Sequence, residues 1–446
     1  MSRPGRAGAG PSAAESGLIQ APPGWLRAVD DRLTARLETA VDRPLAVALS
    51  GGGDSVALLH LAADWASRNG RRLLALTVDH GLNPDSPRWN DLAARAAAGA
   101  GADWRLLHWT GPHPATGLPA AARAARHRLI ADAARAAGAR VVLFAHTADD
   151  VAEGELMRAD GSSLGRLRAW SPSPVWPEGR GLMLLRPLLD VRRQDLRDWL
   201  RARDAAWIDD PANDDPRFAR SRARRALAGT SPPPTALAAP ATARGLLAVE
   251  DDVIRLSRHA DARTLAAALV CAGGGERPPR GDRLAHALTR LRSGEDFTAA
   301  LSGARLEAAG DRVLVLREPG EYRRHATPPV PLPQGLETVW DGRWALTAPQ
   351  SGWVAVPAAG RLNQLSDADR AVLSALPPAA RAARPVLIRN DATAPVLAGD
   401  AHKAQALVAQ RLASALDGMT HETDLGAFTH GATPWKHLFS SADIRE

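Results

Sequence analysis

The sequence contains very little cysteine, tyrosine and lysine. Its 446 residues include one cysteine (Cys271), one tyrosine and two lysines, Lys403 and Lys436. A single cysteine excludes an intramolecular disulfide, a Cys-x-x-Cys redox pair and a cysteine-rich metal or iron–sulfur site within one chain. This lack of disulfide and thiol chemistry favours a cytoplasmic protein.

Long hydrophobic runs are also missing. No apolar run approaches the roughly 18 residues that a helix needs to cross a bilayer, so we predict no membrane span and no membrane partner. The first residues are rich in Gly, Ala, Ser and Pro but lack the continuous apolar core of a secretory signal. We interpret residues 1–24 as a flexible tail.

Acidic residues are outnumbered by basic ones. The chain has 56 Lys and Arg against 49 Asp and Glu, a formal net charge of +7. Such an excess favours a polyanionic partner such as a nucleic acid. Net charge alone is also compatible with a basic protein that binds no polyanion. The preference for arginine over lysine can result from GC-rich coding.

The order of apolar segments predicts an α/β fold. From Pro44 onward, short apolar runs alternate with Ala-rich amphipathic stretches, which is typical of a parallel sheet flanked by helices. We therefore predict a doubly wound, mostly parallel sheet. Its strands are predicted at Leu45–Leu49, Leu73–Val78, Trp104–Trp109, Val141–Ala145 and Leu182–Leu185, and its helices at 54–69, 86–98, 119–137 and 192–203.

The length of the chain predicts further domains after this one. The α/β domain is placed at residues 25–217, a mainly helical middle domain at 218–327 and a small mixed C-terminal domain at 328–446. The stretches Thr298–Leu316 and Glu337–Val356 look like strands. Another segment, Gly229–Thr235, is rich in proline without periodicity and is typical of a linker or long turn.

A glycine-rich loop follows the first predicted strand and opens the next helix. It consists of Ser50, Gly51, Gly52, Gly53, Asp54 and Ser55. Glycines let the backbone approach a phosphate closely, and the free N–H groups and positive dipole end of a helix attract anions. Because the loop lacks the Gly-Lys-Ser/Thr ending of a Walker loop, transfer of a terminal phosphoryl group is disfavoured. Glycine content alone is equally compatible with an ordinary strand-to-helix turn, and Asp54 with a helix-start carboxylate.

Polar residues also follow the other predicted strands. Asp79 and His80 end the second strand, at the sheet edge where ligands bind in open α/β folds. Arg123 and Arg126 share one face of a predicted helix, which suits a phosphate or an adenylate but also a solvated charged surface. An imidazole and three mutually repelling carboxylates follow the fourth strand: His146, Asp149, Asp150 and Glu153.

These motifs together resemble the bacterial tRNA(Ile)-lysidine synthetase family, which belongs to the PP-loop ATP-pyrophosphatase superfamily. The glycine-rich loop matches the superfamily's Ser-Gly-Gly-x-Asp-Ser motif, and Ala145–Glu153 is similar to the family's Ala-His-His-x-Asp-Asp-x-x-Glu signature. The resemblance spans about Leu45 to Leu227, in order and spacing. It continues through Arg186–Leu189, Trp207–Asp214 and Phe218–Arg224.

The resemblance implies an ATP-dependent, tRNA-modifying ligase. Members of the family adenylate the base carbonyl oxygen of the wobble cytidine in an isoleucine tRNA with a CAU anticodon, releasing pyrophosphate. The ε-amino group of free L-lysine then displaces AMP and gives lysidine. The implied partners are therefore this tRNA and lysine, with ATP and Mg²⁺ as cofactors, and a homodimer is compatible with the sequence.

The resemblance also implies a role for each matching residue. The glycine-rich loop and Asp79 would bind ATP, and Asp54 would position Mg²⁺. Catalytic roles fall to Arg126, His146 and Asp150. The lysine substrate would be bound by Glu153 and Arg220.

Four positions near this predicted site depart from the family pattern. Pro119 stands where the family usually has Glu, Thr147 replaces the second His, Gly154 replaces Thr, and Ser221 replaces Asn. The segment Asp160–Ser163 also differs from the usual Arg-Gly-Ser-Gly.

Two alternative functions remain open. One is another PP-loop adenylating synthetase. A thiolase would need a catalytic cysteine pair and glutaminase-coupled synthetases usually carry a glutaminase cysteine, so the single, distant Cys271 argues against both. An ammonia-using synthetase fits the loop but not the long, basic C-terminal half. The other alternative is a catalytically silent tRNA-binding homologue that retains the fold.

Overall fold

The computed structural model describes residues 23–111, 113–162, 165–210, 219–229, 243–325, 327–389 and 394–430. Most of the predicted tail lies outside these residues, as do the predicted linker after Gly229 and parts of two motifs, Ser163 and residues 211–218. The predictions for those segments remain predictions. In the described ranges, no helix is both long and apolar enough to span a membrane.

The first structural unit alternates strands and helices, as predicted. Its described residues form the helices α1 (Gly24–Thr34), α2 (Gly53–Arg68), α3 (Ser86–Gly99), α4 (Leu118–Ala136), α5 (Ala148–Ala159), α6 (Arg193–Arg201) and α7 (Ala219–Ala226). They also form the strands β1 (Leu45–Ala48), β2 (Leu73–Asp79), β3 (Asp103–His108), β4 (Val141–Leu143), β5 (Trp170–Pro172) and β6 (Met183–Leu185).

The six strands form one sheet in the order β3-β2-β1-β4-β6-β5. All neighbouring pairs are parallel except β5 with β6. The chain moves outward from β1 in one direction through β2 and β3, and in the other through β4 and β6. The crevice between the carboxyl ends of β1 and β4 is therefore a topological switch point, where open α/β sheets bind ligands.

Burial on both faces explains the continuous apolar runs of the central strands. Along β1, Leu45 and Val47 pack into the core on one face of the sheet, while Ala46 packs into the core on the other. Along β4, Val142 shares the core of Ala46. The predicted α/β class with a mostly parallel sheet is confirmed.

The elements of this unit that escaped prediction include α1 and β5. Helix α1 begins at the end of the predicted tail and buries Val29 and Leu33 in the core. Strand β5 is only three residues long and pairs antiparallel with β6 through Trp170 and Leu185. Both are short and depend on tertiary contacts, so their local sequence carries little signal.

The middle of the chain combines helices with an antiparallel sheet. The helices are α8 (Ala262–Gly273), α9 (Gly281–Arg292) and the short α10 (Glu321–Arg324), and the sheet has the order β7-β8-β11-β10-β9. The strands are β7 (Leu246–Glu250), β8 (Val253–Leu256), β9 (Phe297–Leu301), β10 (Ala304–Ala309) and β11 (Arg312–Arg317). The hairpin β7–β8 lies in a stretch predicted to be mostly helical. It forms because Asp251 adopts a positive φ at the turn and Ile254 and Leu256 pack against the apolar face of α8.

The last part of the chain is mixed, as predicted. It contains α11 (Asp367–Ser374), α12 (Pro378–Arg381) and α13 (Val408–Ala415). Two antiparallel sheets have the orders β12-β15-β16-β17 and β13-β14-β18. Their strands are β12 (Val330–Leu332), β13 (Glu337–Trp340), β14 (Trp344–Thr347), β15 (Trp353–Pro357), β16 (Pro385–Arg389), β17 (Val396–Leu397) and β18 (Gln405–Ala406).

The segment after α13 returns to the first unit, and we call Asp417–Gly426 the C-terminal strap. Its Met419 and Leu425 side chains belong to the core beneath the parallel sheet. The Glu422 carboxylate accepts two hydrogen bonds, at 2.9 and 3.1 Å, from the Arg71 guanidinium, and both side chains are fully buried. These buried contacts make the strap an integral part of the first unit. The sequence after about Asp417 shows no pattern that predicts them.

Candidate active site

The glycine-rich loop connects β1 to α2 and is fixed by its own serines. The Ser55 hydroxyl donates a hydrogen bond to the Gly52 carbonyl over 2.8 Å and lies 3.1 Å from the Ser50 hydroxyl. Gly52 precedes α2, and among the described residues no side chain caps the N–H groups of the first turn. Uncapped N–H groups at the positive end of a 16-residue helix are suited to bind an anion.

The loop needs glycine because another segment packs tightly behind it. Gly51 has a φ of +82°, and a Cβ atom there would lie only 2.6 Å from the Ile208 side chain. The Ile208 N–H donates to the Gly51 carbonyl over 2.9 Å, and the Trp207 ring lies against Gly53. The Trp-Ile-Asp-Asp motif noted in the sequence therefore supports the phosphate loop from behind.

Asp79 ends β2 and shapes the turn that follows. Its carboxylate accepts hydrogen bonds from the Gly81 N–H over 2.8 Å and from the Asn90 amide over 3.0 Å. Burial alone would raise the pKa of Asp79, but these hydrogen bonds outweigh it and lower the pKa. Asp79 is thus ionised and oriented at the same edge of the sheet as the loop.

Helix α5 presents two buried carboxylates, Asp150 and Glu153, beside the loop. Thr147 caps this helix: its hydroxyl accepts from the Asp150 N–H, and the Asp150 Oδ2 accepts from the Thr147 N–H over 2.7 Å. The threonine that replaces the family's second histidine therefore has a structural function as an N-cap. The cap leaves the Asp150 Oδ1 atom to face the site.

One arginine absent from the sequence predictions joins these carboxylates to the loop. The Arg193 guanidinium donates to Asp54 over 3.0 Å, to Asp150 over 3.0 Å and to Glu153 over 3.1 Å. The Arg193 N–H also donates to Asp149 over 2.8 Å, which ties the start of α6 to α5. Burial would lower the pKa of Arg193, but the surrounding carboxylates raise it.

Two arginines of α7 complete the group. Arg220 donates to Glu153 over 2.7 Å and to Asp150 over 2.6 Å, and Arg224 donates to Glu153 over 3.0 Å. Burial would raise the pKa of Glu153, but its bond to Arg220 and the charge of Arg193 lower it. Asp54 differs, because burial raises its pKa more than Arg193 lowers it.

A second group, which is basic, lies beside this group of carboxylates and arginines. In the described part of the chain, the buried Nε atom of Arg126 has no hydrogen-bond partner. Burial, followed by the charges of Arg123 and Arg220, lowers the pKa of Arg126 to about 10. Burial, with the nearby arginines Arg186 and Arg220, likewise holds the pKa of His146 well below its usual range, so His146 is neutral at pH 7. Unpaired positive charge at a sheet edge suits a phosphate or adenylate group.

The structure therefore gathers most of the predicted site residues. Asp54, Asp150, Glu153 and Arg220 form one hydrogen-bonded group, with Arg126 and His146 in the adjoining basic group. Sequence reasoning missed Arg193 and the supporting role of Ile208. One signal was available for Arg193, because a cation in the first turn of a helix opposes the helix dipole and needs a compensating anion.

The same carboxylates are also candidate ligands for a metal ion. No group of three or more His, Cys, Asp or Glu side chains is arranged to hold a metal within the ranges described. Magnesium, however, is usually bound through one or two carboxylates together with substrate phosphates. Asp54 at the phosphate loop supplies such a hard oxygen donor, so the residues fit a metal that arrives with a nucleotide.

The chain matches one family model and is similar to several known proteins. A model of the PP-loop domain matches residues 26–230. The tRNA(Ile)-lysidine synthase of Caulobacter vibrioides is 50% identical over 378 residues, covering 83% of this chain and 89% of that protein. The enzyme of the same name from Ruegeria pomeroyi is 38% identical and covers 72% of this chain and 80% of that protein. A solved U34-tRNA thiolase from Methanococcus maripaludis is 17% identical, with a TM-score of 0.38 over 46% of this chain and 71% of that one.

Proposed function

Because the chain belongs to the tRNA(Ile)-lysidine synthase family, we propose that it ligates free lysine to the wobble cytidine of an isoleucine tRNA with a CAU anticodon. The products are lysidine, AMP and pyrophosphate. One observation carries this proposal. At the switch point of the sheet, the glycine-rich loop lies beside Asp150 and Glu153, and Arg193 connects them. An unstacked anticodon base reaches such a site at lower cost than a base within a duplex.

In the first step, the cytidine carbonyl oxygen attacks the α-phosphorus of ATP, and the bond to pyrophosphate breaks. The uncapped N–H groups of α2 would hold the leaving pyrophosphate, and Asp79 would orient the rest of the nucleotide. Mg²⁺ bound at Asp54 would offset the charge that accumulates on the phosphates. The unpaired charge of Arg126 supports a role in stabilising the adenylated cytidine.

In the second step, the neutral ε-amino nitrogen of lysine attacks the activated carbon, the bond to AMP breaks, and Asp150 would accept the proton that the nitrogen loses. Asp150 and Glu153 would attract the ammonium groups of lysine, and Arg220 would hold its carboxylate. Since Glu153 is only 2% exposed and already bonded to three arginines, lysine would have to replace one of them. The neutral imidazole of His146 would act in hydrogen bonding of the amine rather than as a strong base.

We also propose that the residues from 328 onward bind the tRNA, that the enzyme acts in the cytoplasm and that it can form a homodimer. The basic net charge supports the tRNA contact. Deleting the residues after Gln334 is a poor test of tRNA binding. The deletion would also remove α13 and the C-terminal strap, which pack against the core of the first unit. Charge reversal of exposed arginines in this region tests RNA binding without that loss.

The order of the two steps provides the test of the reaction. Purified protein should release pyrophosphate when given ATP and unmodified isoleucine tRNA, and it should release AMP only when lysine is added as well. A transcript with guanosine in place of the wobble cytidine serves as the control and should give neither product. Failure to release pyrophosphate with the correct tRNA, or full-rate AMP release without lysine, would refute the proposal.

A further inference from the structure

Arg193 lies at the centre of the acidic group and uses all three guanidinium nitrogens there. Its Nε atom contacts Asp54 on α2, and its two Nη atoms contact Asp150 and Glu153 on α5. One side chain therefore connects the phosphate loop to the helix that carries the other two carboxylates. The main chain holds this position, because the Arg193 N–H is bonded to Asp149.

This placement of Arg193 is unfavourable in its local helix. The residue begins α6, where the positive end of the helix dipole disfavours a cation. Asp195 in the same first turn and, through direct hydrogen bonds, three carboxylates of other elements offset that disadvantage. The neighbouring Arg192 is exposed and has none of these contacts, so the difference between the two arginines lies in the tertiary structure.

The Arg193 guanidinium also occupies the place of a ligand cation. The Asp54 Oδ2 atom that accepts its hydrogen bond is an oxygen of the carboxylate assigned to the nucleotide-bound metal. Asp150 and Glu153, the other two acceptors, are assigned to the ammonium groups of lysine. A protein cation and a ligand cation cannot use the same carboxylate oxygen together at full strength.

We propose that Arg193 is an internal counter-ion, a positioning residue that holds Asp54, Asp150 and Glu153 together before substrates bind. It keeps free divalent cations out of the acidic group, and it releases Asp54 when the metal arrives with ATP. Its bonds to Asp150 and Glu153 then keep α5 in position for lysine. This inference rests on the proposed function for the identity of the ligands, but the exclusion of metal depends on charge and geometry alone.

The test uses Mn²⁺ alone as the probe. Free Mn²⁺ is followed by electron paramagnetic resonance during titration of the full-length protein without ATP. The wild-type protein should bind Mn²⁺ weakly, and Arg193→Met should gain a site at least about tenfold tighter, because three carboxylates lose a cation within hydrogen-bond distance. Arg192→Met is the matched control and should behave like the wild type.

Two further measurements assign the gained site and protect the test against misfolding. The double variant Arg193→Met/Asp54→Asn should lose the gained site, and circular dichroism should show that each variant is folded. If Arg193→Met does not fold, the titration of the wild-type protein still tests the proposal. The proposal would be overturned if the wild-type protein bound Mn²⁺ tightly without ATP and if Asp54→Asn removed that binding. A folded Arg193→Met that binds Mn²⁺ no better than the wild type would overturn it equally. Neither result depends on pyrophosphate release, so a failure here is distinct from a failure of the proposed function.

Discussion

Two arginine networks in this protein have opposite electrostatic character. In the C-terminal half, Arg343 is fully buried and bonded to Asp252, to Asp341 over 2.9 Å and to the Ala383 carbonyl over 2.7 Å. Burial would raise the pKa of Asp341, but Arg343 and Arg317 outweigh it and lower the pKa. Asp252 and Asp341 each accept a hydrogen bond from Arg343, although the buried Oδ1 atom of Asp252 has no hydrogen-bond partner among the described residues.

The network at the sheet edge is not balanced in the same way. There the pKa of Asp54 is raised in spite of Arg193, and the pKa of Arg126 is lowered to about 10. We therefore expect the network around Arg343 to be structural and the network at the sheet edge to bind a ligand. A structural network satisfies its charges internally, whereas a binding site leaves some of them for a ligand to satisfy.

The largest expected effect concerns the structural network. Arg343→Met should destabilise the protein by about 3–5 kcal/mol, because it leaves Asp252 and Asp341 buried without their main cation. Chemical unfolding of the full-length protein measures the change. Arg312→Met, which removes an exposed arginine, should stay within about 0.5 kcal/mol of the wild type. If the two variants are equally stable, the Arg343 network contributes no structural stability.

A different kind of loss is expected at the basic group of the site. Arg126→Met should slow tRNA-dependent pyrophosphate release about 100- to 1,000-fold, the usual effect of removing one group that stabilises charge in a transition state. The same variant should not lower the melting temperature, because it removes an unpaired and partly buried charge.

The control for this prediction lies on the same helix. Arg128 pairs with Glu276 over 2.9 Å, outside the site, so Arg128→Met should retain wild-type pyrophosphate release. A large loss of stability in Arg126→Met, or comparable slowing in both variants, would place Arg126 among the structural arginines.

The smallest expected effect is on how the free energy of unfolding depends on pH. Asp341 and Asp54 should contribute to this dependence with opposite signs. Asp341 has a lowered pKa, so it contributes stability above its unfolded pKa, and this stability is lost as the pH falls through its folded pKa. Asp54 has a raised pKa, so its contribution is present below its unfolded pKa and is lost as the pH rises through its folded pKa.

Unfolding measured between about pH 3 and pH 7 separates these signs. Relative to the wild type, Asp54→Asn should become more stable as the pH rises, and Asp341→Asn should become less stable. The slope is the informative quantity, because each substitution also changes stability by an amount independent of pH. If the stability difference from the wild type changed with pH in the same direction in both variants, the contrast between the two networks would be wrong.

Much of the fold could be predicted from the sequence because its signals are local. The run Leu45–Ala48, the glycines after it and the amphipathic helix from Gly53 lie within one continuous segment. Burial on both faces requires the apolar run, and the close packing of Ile208 requires glycine at position 51. Short or unusual elements were missed, as with α1, β5 and the β7–β8 hairpin, because contacts distant in sequence stabilise them.

The sequence by itself determined the α/β class, the glycine-rich loop and the types of residue at the sheet edge, since each depends on a run of neighbouring residues. Only the tertiary structure decided how those residues pair. It brought Arg193 to Asp54 across 139 positions of the chain, enclosed Glu153 among three arginines and returned Glu422 to Arg71. An ion pair depends on distances in space, and a pattern of neighbouring residues does not contain those distances.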